Sequence, residues 1–279
     1  MTYSEICSML ARAGVDSPEW DAQLLIERFC GLKPLEILAD PHGTLPPSIA
    51  LEEAVRRRCE REPLQYVFGF WDFYRQTYEV SPACLVPRSD TEILVEEAVR
   101  RLPDGAFFAD LCTGSGCIAV SVLAERRDTT AMAVELSEEA LALAERNAIR
   151  NGVADRFCGI NGNVLEEKPA FADPNRRPAA ILSNPPYIRT DVLESLSPEV
   201  QREPRMALDG GADGMIFYRA LLDLAKAWLA PNGFCLFEIG YDQGAEITAL
   251  AEEKGFSCVV KKDLGGCDRV AILHPLSIQ

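Results

Sequence analysis

From about residue 90 to near the end of the chain, short apolar segments alternate with segments whose apolar residues recur at helical spacing. The apolar segments include residues 106–112, 130–136, 179–187 and 234–240. This alternation predicts an α/β fold with a parallel, doubly wound sheet and right-handed crossovers. Such sheets bind ligands in a crevice at the carboxyl ends of their strands. The residues that follow each strand are therefore the first candidates for a site.

The last two apolar segments, 256–264 and 269–275, are separated by the four residues "GGCD". A parallel crossover needs a dozen or more residues, so four are too few. We therefore expect these two strands to form an antiparallel hairpin at one edge of the sheet.

The part of the chain before this alternation has a different texture. Short helical patterns fill residues 1–68, and one of them is predicted to begin at Pro18, with Ser17 as its cap, and to end at Gly31. Residues 69–88 are rich in aromatic residues in rough alternation, which favours a hairpin. The predicted parts are an N-terminal helical domain at 1–68, a hairpin linker at 69–88 and the sheet domain at 89–279.

The turn after the first strand of the sheet domain reads "DLCTGSGCIA". Gly114, Gly116 and Ala119 fit the pattern G-x-G-x-x-A, in which glycines let the backbone approach a ligand at a helix N-terminus. Glu135 ends the next strand, roughly 20 residues on, where a carboxylate can accept hydrogen bonds from both hydroxyls of a ribose. Dinucleotide sites and S-adenosylmethionine sites share these features, so they leave the ligand open.

The apolar segment 179–187 ends in "SNPPY", residues 183–187. The Asn184 side chain and the Pro185 carbonyl supply two acceptors, which can hold both hydrogens of an –NH₂ group. Tyr187 can cover the flat face of that group, and two prolines fix the geometry before binding. This arrangement suits methyl transfer to a planar nitrogen, whose lone pair is otherwise delocalised.

Composition excludes some alternatives. The net charge of -15 argues against tight, sequence-independent binding of nucleic acid. We expect the basic cluster Arg56, Arg57, Arg58 and Arg61 to be a solvated helix face. Ten scattered cysteines, two histidines and no Cys-x-x-Cys pair favour reduced thiols and no metal site. No apolar run is long enough to span a bilayer, so we expect a cytoplasmic protein with no membrane contact.

Together with the glycine turn, "SNPPYI" resembles the amino-methyltransferases of the Rossmann-like S-adenosylmethionine class. Further stretches resemble one family, the release-factor glutamine methyltransferases (HemK/PrmC). They are "SPEWDAQLL", "EPLQYVFG", "LVPRSDTEILVE", "EPRMALDGGADGMIFYR", "FEIGYDQG" and "DLGGCDRV". The resemblance runs from about residue 4 to about residue 273, and its most specific parts are "VPRSDTE" and "EPRMALDGGADG".

This resemblance implies a class I S-adenosylmethionine methyltransferase domain preceded by a small helical domain that helps to hold the substrate. The implied reaction methylates the side-chain amide of Gln in the Gly-Gly-Gln tip of peptide-chain release factors and leaves S-adenosylhomocysteine. The implied cofactor residues are Asp110, Cys112, Thr113, Gly114, Ser115, Gly116, Glu135, Asn163, Val164 and Asn184. The implied glutamine contacts are Asn184, Pro185, Pro186 and Tyr187, with Asn184, Pro185 and Tyr187 as the catalytic group. We expect a monomer.

The chain departs from the family pattern at four positions. Cys112 stands where Gly is usual and can narrow the pocket or point away, Ser89 stands where Pro is usual, and Asn163 stands where Asp is usual. Val164 is smaller than the aromatic often found there. Arg88 and Glu92 also lie in the family signature, and we expect them to serve a structural ion pair.

Three other functions remain open from the sequence. Asn-Pro-Pro-Tyr also occurs in adenine-specific nucleic-acid methyltransferases, although the acidic charge and the lack of a basic recognition segment disfavour that reading. A non-catalytic binding protein on the same scaffold is a further alternative, which the intact turn and glycine loop disfavour. A nicotinamide dehydrogenase is more distant.

Overall fold

The computed structural model describes residues 1–167 and 169–276 and folds as two compact units. The helical unit consists of Met1–Gly69 together with Leu196–Arg202, and the sheet unit comprises the other described residues. The segment predicted as a linker at 69–88 belongs to the sheet unit from Phe70 onward. Residues 277–279, the end of the domain predicted at 89–279, lie outside the described residues.

The helical unit is built from short helices. In chain order they are α1 (Tyr3–Arg12), α2 (Pro18–Cys30), α3 (Pro34–Ala39), α4 (Ile49–Cys59), α5 (Leu64–Phe68) and, from the second segment, α9 (Pro198–Gln201). Its core includes the fully buried side chains of Ile6, Leu10, Leu25, Ile26 and Val55. Helix α2 begins at Pro18 and ends at Gly31 with φ +70°, as predicted, but the Ser17 side chain makes no capping hydrogen bond.

Arg58 corrects one sequence expectation, because it is buried rather than part of a solvated face. Its Nε donates to Asp21 Oδ2 at 2.7 Å and its Nη1 donates to Glu199 Oε1 at 2.8 Å. Arg61 also donates to Glu199, at 2.6 Å. A buried guanidinium needs such partners to offset its lost hydration. Arg56, in contrast, pairs with Glu53 in an exposed position, as expected.

Replacing Glu199 with Gln is expected to destabilise the helical unit by about 2–4 kcal/mol, because the largely buried Arg61 then loses its carboxylate partner and Arg58 keeps only Asp21. Burial raises the pKa of Glu199, but hydrogen bonds from the two arginines outweigh it and lower the pKa to about 2. A carboxyl with a depressed pKa stabilises the fold above its unfolded pKa and loses that contribution as the pH falls through the folded value. The difference in the free energy of unfolding between wild type and variant should therefore shrink as the pH falls from about 4.5 to about 2.

Hydrogen exchange in α2 and α4 measures this effect within the unit. The matched control is Glu53→Gln, whose partner Arg56 is solvent-exposed, and it should leave exchange unchanged. Equal exchange in wild type and Glu199→Gln at pH 7 would contradict the prediction.

The sheet unit begins with a two-stranded antiparallel hairpin, and seven strands then form the main sheet. In chain order the elements are β1 (Phe70–Phe73), β2 (Gln76–Glu79), α6 (Glu92–Arg101), β3 (Phe107–Leu111), α7 (Cys117–Glu125), β4 (Thr130–Glu135), α8 (Glu138–Arg150), β5 (Phe157–Asn161), β6 (Ala180–Ser183), α10 (Ile216–Trp228), β7 (Phe234–Glu238), α11 (Gly244–Lys254), β8 (Phe256–Lys262) and β9 (Asp268–Pro275).

The main sheet has the strand order β5-β4-β3-β6-β7-β9-β8. The five neighbouring strands β5, β4, β3, β6 and β7 are parallel, whereas β9 is antiparallel to both β7 and β8. The predicted α/β fold with an antiparallel edge hairpin is therefore confirmed. The final strand inserts beside β7 and leaves β8 at the edge. Apolar clusters lie on both faces of the sheet, so the central strands β3, β6 and β7 are almost entirely buried.

Among the described helices, none is both long and apolar enough to cross a membrane.

Candidate functional site

The carboxyl ends of β3, β4 and β6 open on a cavity of about 440 Å³ within the sheet unit. Its volume is in the range of small-molecule sites. Nine residues of the sequence-predicted site line it: Cys112, Thr113, Gly114, Ser115, Glu135, Asn163, Val164, Asn184 and Pro186. The other four, Asp110, Gly116, Pro185 and Tyr187, are not on its wall.

The two glycines of the loop between β3 and α7 have different roles. Both have positive φ, +56° at Gly114 and +79° at Gly116. A Cβ on Gly116 would lie 3.0 Å from the Cβ of Ala144, so Gly116 allows the loop to approach α8 closely. A Cβ on Gly114 would meet its nearest neighbour, the Cβ of Cys84, at 3.9 Å, so there the backbone borders open space on the cavity side.

Glu135 holds the loop from the end of β4. Its Oε2 accepts a hydrogen bond from Gly114 N at 2.9 Å, and its Oε1 accepts one from Ser137 N at 3.0 Å. Because a carboxylate has about four acceptor positions, two bonds leave capacity on the side that faces the cavity.

Asp110 lies beneath the loop and is fully buried. Its Oδ2 accepts hydrogen bonds from Thr113 Oγ1 at 2.6 Å and from Ala119 N at 3.1 Å, and burial raises its pKa to about 7. Its Oδ1 has no hydrogen-bond partner among the described residues. Asp110 therefore shapes the loop and the start of α7.

The turn after β6 presents Asn184 to the cavity. The Asn184 Nδ2 donates to Thr91 Oγ1 at 3.3 Å. The Tyr187 hydroxyl donates to the buried Glu238 at 3.4 Å, and the Tyr187 carbonyl accepts from Gln243 Nε2 at 3.1 Å. Burial raises the pKa of Tyr187 well above its usual value, so its hydroxyl remains protonated.

The stretch "EPRMALDGGADG" supports this turn from behind. Ile188 N donates to Leu208 O at 3.0 Å, and Gly210 N donates to Ile188 O at 2.7 Å. A Cβ on Gly210 would lie 2.7 Å from the Tyr187 Cα, so only a residue without a side chain fits against the turn at that point.

Comparison with known proteins agrees with these features along nearly the whole chain. The PrmC N-terminal domain family matches residues 3–69, and the methyltransferase small domain family matches residues 89–211. A release factor glutamine methyltransferase of Geobacter sulfurreducens is 39% identical over 265 residues, which cover 94% of this chain and 91% of that protein. One of Moorella thermoacetica is 37% identical over 276 residues, which cover 97% and 96%.

The chain belongs to the release factor glutamine methyltransferase family. It is therefore a methyltransferase. A methyltransferase structure from Pyrococcus furiosus aligns with a TM-score of 0.51 at 20% identity and covers 71% of this chain and 87% of that one, which supports the fold.

In this member of the release factor glutamine methyltransferase family, Ala83–Arg88 and Thr91 also line the cavity, which the sequence analysis missed. Arg88 forms a structural ion pair, but with Glu203 rather than with Glu92 as expected, and Glu203 also accepts from Val86 N at 2.9 Å. Glu92 instead accepts from the backbone N of Tyr74 at 2.8 Å. The family-specific stretch "VPRSDTE" is the signal that could have placed these residues at the site.

The departures from the family pattern are resolved structurally. Cys112 adopts φ +60°, lines the cavity and packs against the apolar cluster on one face of the sheet. The Asn163 side chain accepts a hydrogen bond from Leu165 N at 2.9 Å, which orders the turn around the buried Val164. Ser89 begins a 3-10 turn, Ser89–Thr91, without proline.

Three cysteines, Cys84, Cys112 and Cys117, line the cavity. Burial raises the pKa of Cys84 to about 12 and raises the pKa of the other two still further from the usual thiol range. All three therefore carry protons at neutral pH. Within the described part of the chain, no group of three or more His, Cys, Asp or Glu residues is arranged to hold a metal ion.

Proposed function

We propose that this protein transfers a methyl group from S-adenosylmethionine to the side-chain amide nitrogen of the Gln in the Gly-Gly-Gln motif of peptide-chain release factors. The observation that carries the proposal is the Asn184 amide at the cavity wall, whose Nδ2 donates to Thr91. This leaves Asn184 Oδ1 as an acceptor for an N–H of a substrate amide. The names of the relatives support glutamine in a release factor as the source of that amide.

The residues around the cavity fit the cofactor. Glu135 has acceptor capacity for ribose hydroxyls, and Gly114 leaves room for close backbone approach. Val164 and Leu165 supply apolar surface for a flat ring. When bound, the cofactor supplies an activated methyl group on a sulfonium.

The chain's own residues hold and align the amide. Asn184 Oδ1 and the Pro185 carbonyl are the acceptors for its two hydrogens, which directs the nitrogen lone pair away from both. With the cofactor bound, the substrate nitrogen would gain the methyl group, and the sulfur would keep the electron pair of the carbon–sulfur bond. The nitrogen then releases one proton to water, so no strong base is needed beforehand.

A labelled-methyl assay with a purified release factor tests the proposal. Label should enter the wild-type factor and should not enter a factor whose Gly-Gly-Gln is changed to Gly-Gly-Ala. A DNA or RNA oligonucleotide containing adenine serves as the alternative substrate. Transfer to adenine, or no transfer to a release factor despite cofactor binding, would contradict the proposal.

Glu135→Gln is expected to weaken S-adenosylmethionine binding by about 10- to 100-fold, since a hydrogen bond to a charged group contributes about 1.5–3 kcal/mol. Gly114 and Ser137 donate to different oxygens of Glu135, and a glutamine would present its NH₂ group to one of them. Isothermal titration calorimetry measures the affinity. Glu139→Gln, an exposed change in the first turn of α8, is the control and should bind as wild type does.

We also propose the arrangement of the whole chain. Residues 1–68 help to hold the release factor, residues 69–88 connect, and residues 89–279 bind the cofactor and the glutamine. The protein works in the cytoplasm as a monomer, without membrane or nucleic-acid contact. Ten cysteines in reduced form and a net charge of -15 support this view.

A further inference from the structure

Glu238 is a buried carboxylate behind the Asn-Pro-Pro-Tyr turn. It ends β7 and is 1% exposed. Its Oε2 accepts a hydrogen bond from Thr91 Oγ1 at 2.5 Å, and its Oε1 accepts one from the Tyr187 hydroxyl at 3.4 Å. Asn184 donates to the same Thr91 hydroxyl. One carboxylate is therefore connected to both ends of the turn, directly at Tyr187 and through Thr91 at Asn184.

The number of protons fixes the direction of this chain of hydrogen bonds. An ionised carboxylate can only accept, so the single proton of the Thr91 hydroxyl must go to Glu238. The Thr91 oxygen can then only accept from Asn184. The Asn184 amide must accordingly present its NH₂ group to Thr91, and its oxygen is left to face elsewhere.

We propose that Glu238 is a positioning residue: by ending the hydrogen-bond chain as an acceptor, it fixes the amide of Asn184 with its oxygen available to the substrate amide. This inference rests on the function proposed above. With the amide reversed, two N–H donors would face the N–H donors of the substrate, and the substrate nitrogen would not be held.

The proposal makes the ionised form of Glu238 the active one, because a protonated carboxyl can donate to Thr91 and so allow the chain to reverse. Burial raises the pKa of Glu238 to about 7, against the opposing effects of the Thr91 hydrogen bond and of Arg269. The titratable or charged groups that face it are Asp90 beside α6, Cys117 on α7, Tyr187 after β6, Tyr218 on α10 and Arg269 on β9.

The test is the pH profile of kcat for wild type and Glu238→Gln with a release factor substrate. Glutamine has nearly the same shape, but its amide can donate to Thr91 at every pH. We expect kcat at pH 8 to fall roughly 100-fold, as for other misplaced reacting groups, with KM for S-adenosylmethionine within about threefold of wild type. The wild-type rate should decline below about pH 7, and that decline should be absent from the variant. Burial also raises the pKa of Asp110 to about 7. The part of the acidic decline in kcat that is due to Glu238 is therefore the part that disappears in Glu238→Gln.

Glu97→Gln is the matched control. Glu97 is also buried, but its partners Arg100, Arg101 and Lys261 belong to a separate ion-pair cluster. Its kcat and pH profile should equal those of wild type. If Glu238→Gln keeps the wild-type rate and acid limb, the inference is overturned. If wild type transfers no methyl group, the proposed function and this inference both fail.

A second pair of variants covers the case in which Glu238→Gln does not fold. Thr91→Val removes the hydroxyl at nearly constant shape, and Thr91→Ser keeps it. The inference predicts that Thr91→Ser turns over at least about tenfold faster than Thr91→Val, as expected for loss of one oriented hydrogen bond. Equal rates for the two variants would overturn it.

Discussion

Asn184→Ala is expected to reduce kcat for methyl transfer by at least about 1,000-fold, the upper range for removal of one oriented hydrogen-bonding group at a reacting centre. Alanine removes the acceptor that holds one amide hydrogen, and it also leaves Thr91 without its donor. Binding of S-adenosylhomocysteine should weaken far less, because Glu135 and the glycine loop remain. Single-turnover transfer to a release factor measures the rate, and calorimetry measures binding.

The matched control is Asn151→Ala. Asn151 follows α8, and its side chain donates to the carbonyls of Thr77 and Asn147 outside the cavity. It should lose some stability and keep its rate. A second variant, Asn184→Asp, keeps acceptor oxygens but has no NH₂ group for Thr91, so its rate should also be low. Wild-type turnover in Asn184→Ala would show that this side chain does not hold the substrate.

Gly214→Ala is expected to abolish most activity and to destabilise the sheet unit by more than about 3 kcal/mol, the combined cost of a left-handed alanine and of an overpacked site. Gly214 has φ +73°, and an added Cβ would lie 2.5 Å from the Tyr187 carbonyl oxygen and 2.8 Å from Gln243 Nε2. The methyl group must therefore push the Asn-Pro-Pro-Tyr turn from its position or break the Gln243 hydrogen bond that holds it.

Gly105→Ala is the control, because it introduces the same backbone strain as Gly214→Ala without a steric clash. Gly105 has φ +69°, and a Cβ there would meet no atom within 4 Å. It should lose about 1 kcal/mol and keep wild-type kcat. Thermal unfolding and the methyl-transfer assay compare the two variants. Equal losses in both would mean that contact with Tyr187 contributes nothing.

Local sequence patterns predicted the fold well, because strand–helix alternation and connection length depend on residues that are close in the sequence. The alternation after residue 90 and the short "GGCD" connection determine which strands are parallel and which form the hairpin, and the strand–turn–helix order places the glycine turn and Glu135 at the same edge of the sheet. The same reasoning placed Asn184 at the cavity.

Contacts between distant parts of the chain were beyond these patterns. Thr91 and Glu238 are 147 residues apart, and Arg88 and Glu203 are 115 apart. Nothing local marks Leu196–Arg202 as part of the helical unit, where Glu199 accepts from Arg58, 141 residues earlier in the chain. Tyr187 shows the same limit. Its hydrogen bond to Glu238 assigns the hydroxyl a partner that its neighbours in sequence do not reveal.

The buried thiols of the cavity bear on the fate of the methyl group. A sulfonium methyl is a soft electrophile, and a thiolate would compete for it more effectively than an amide nitrogen does. Burial raises the pKa of the Cys84 thiol to about 12 and raises the pKa of Cys112 and Cys117 further, so all three carry their protons at pH 7. The burial that keeps these three thiols protonated thus also makes them weak competitors for the methyl group, although all three residues line the cavity.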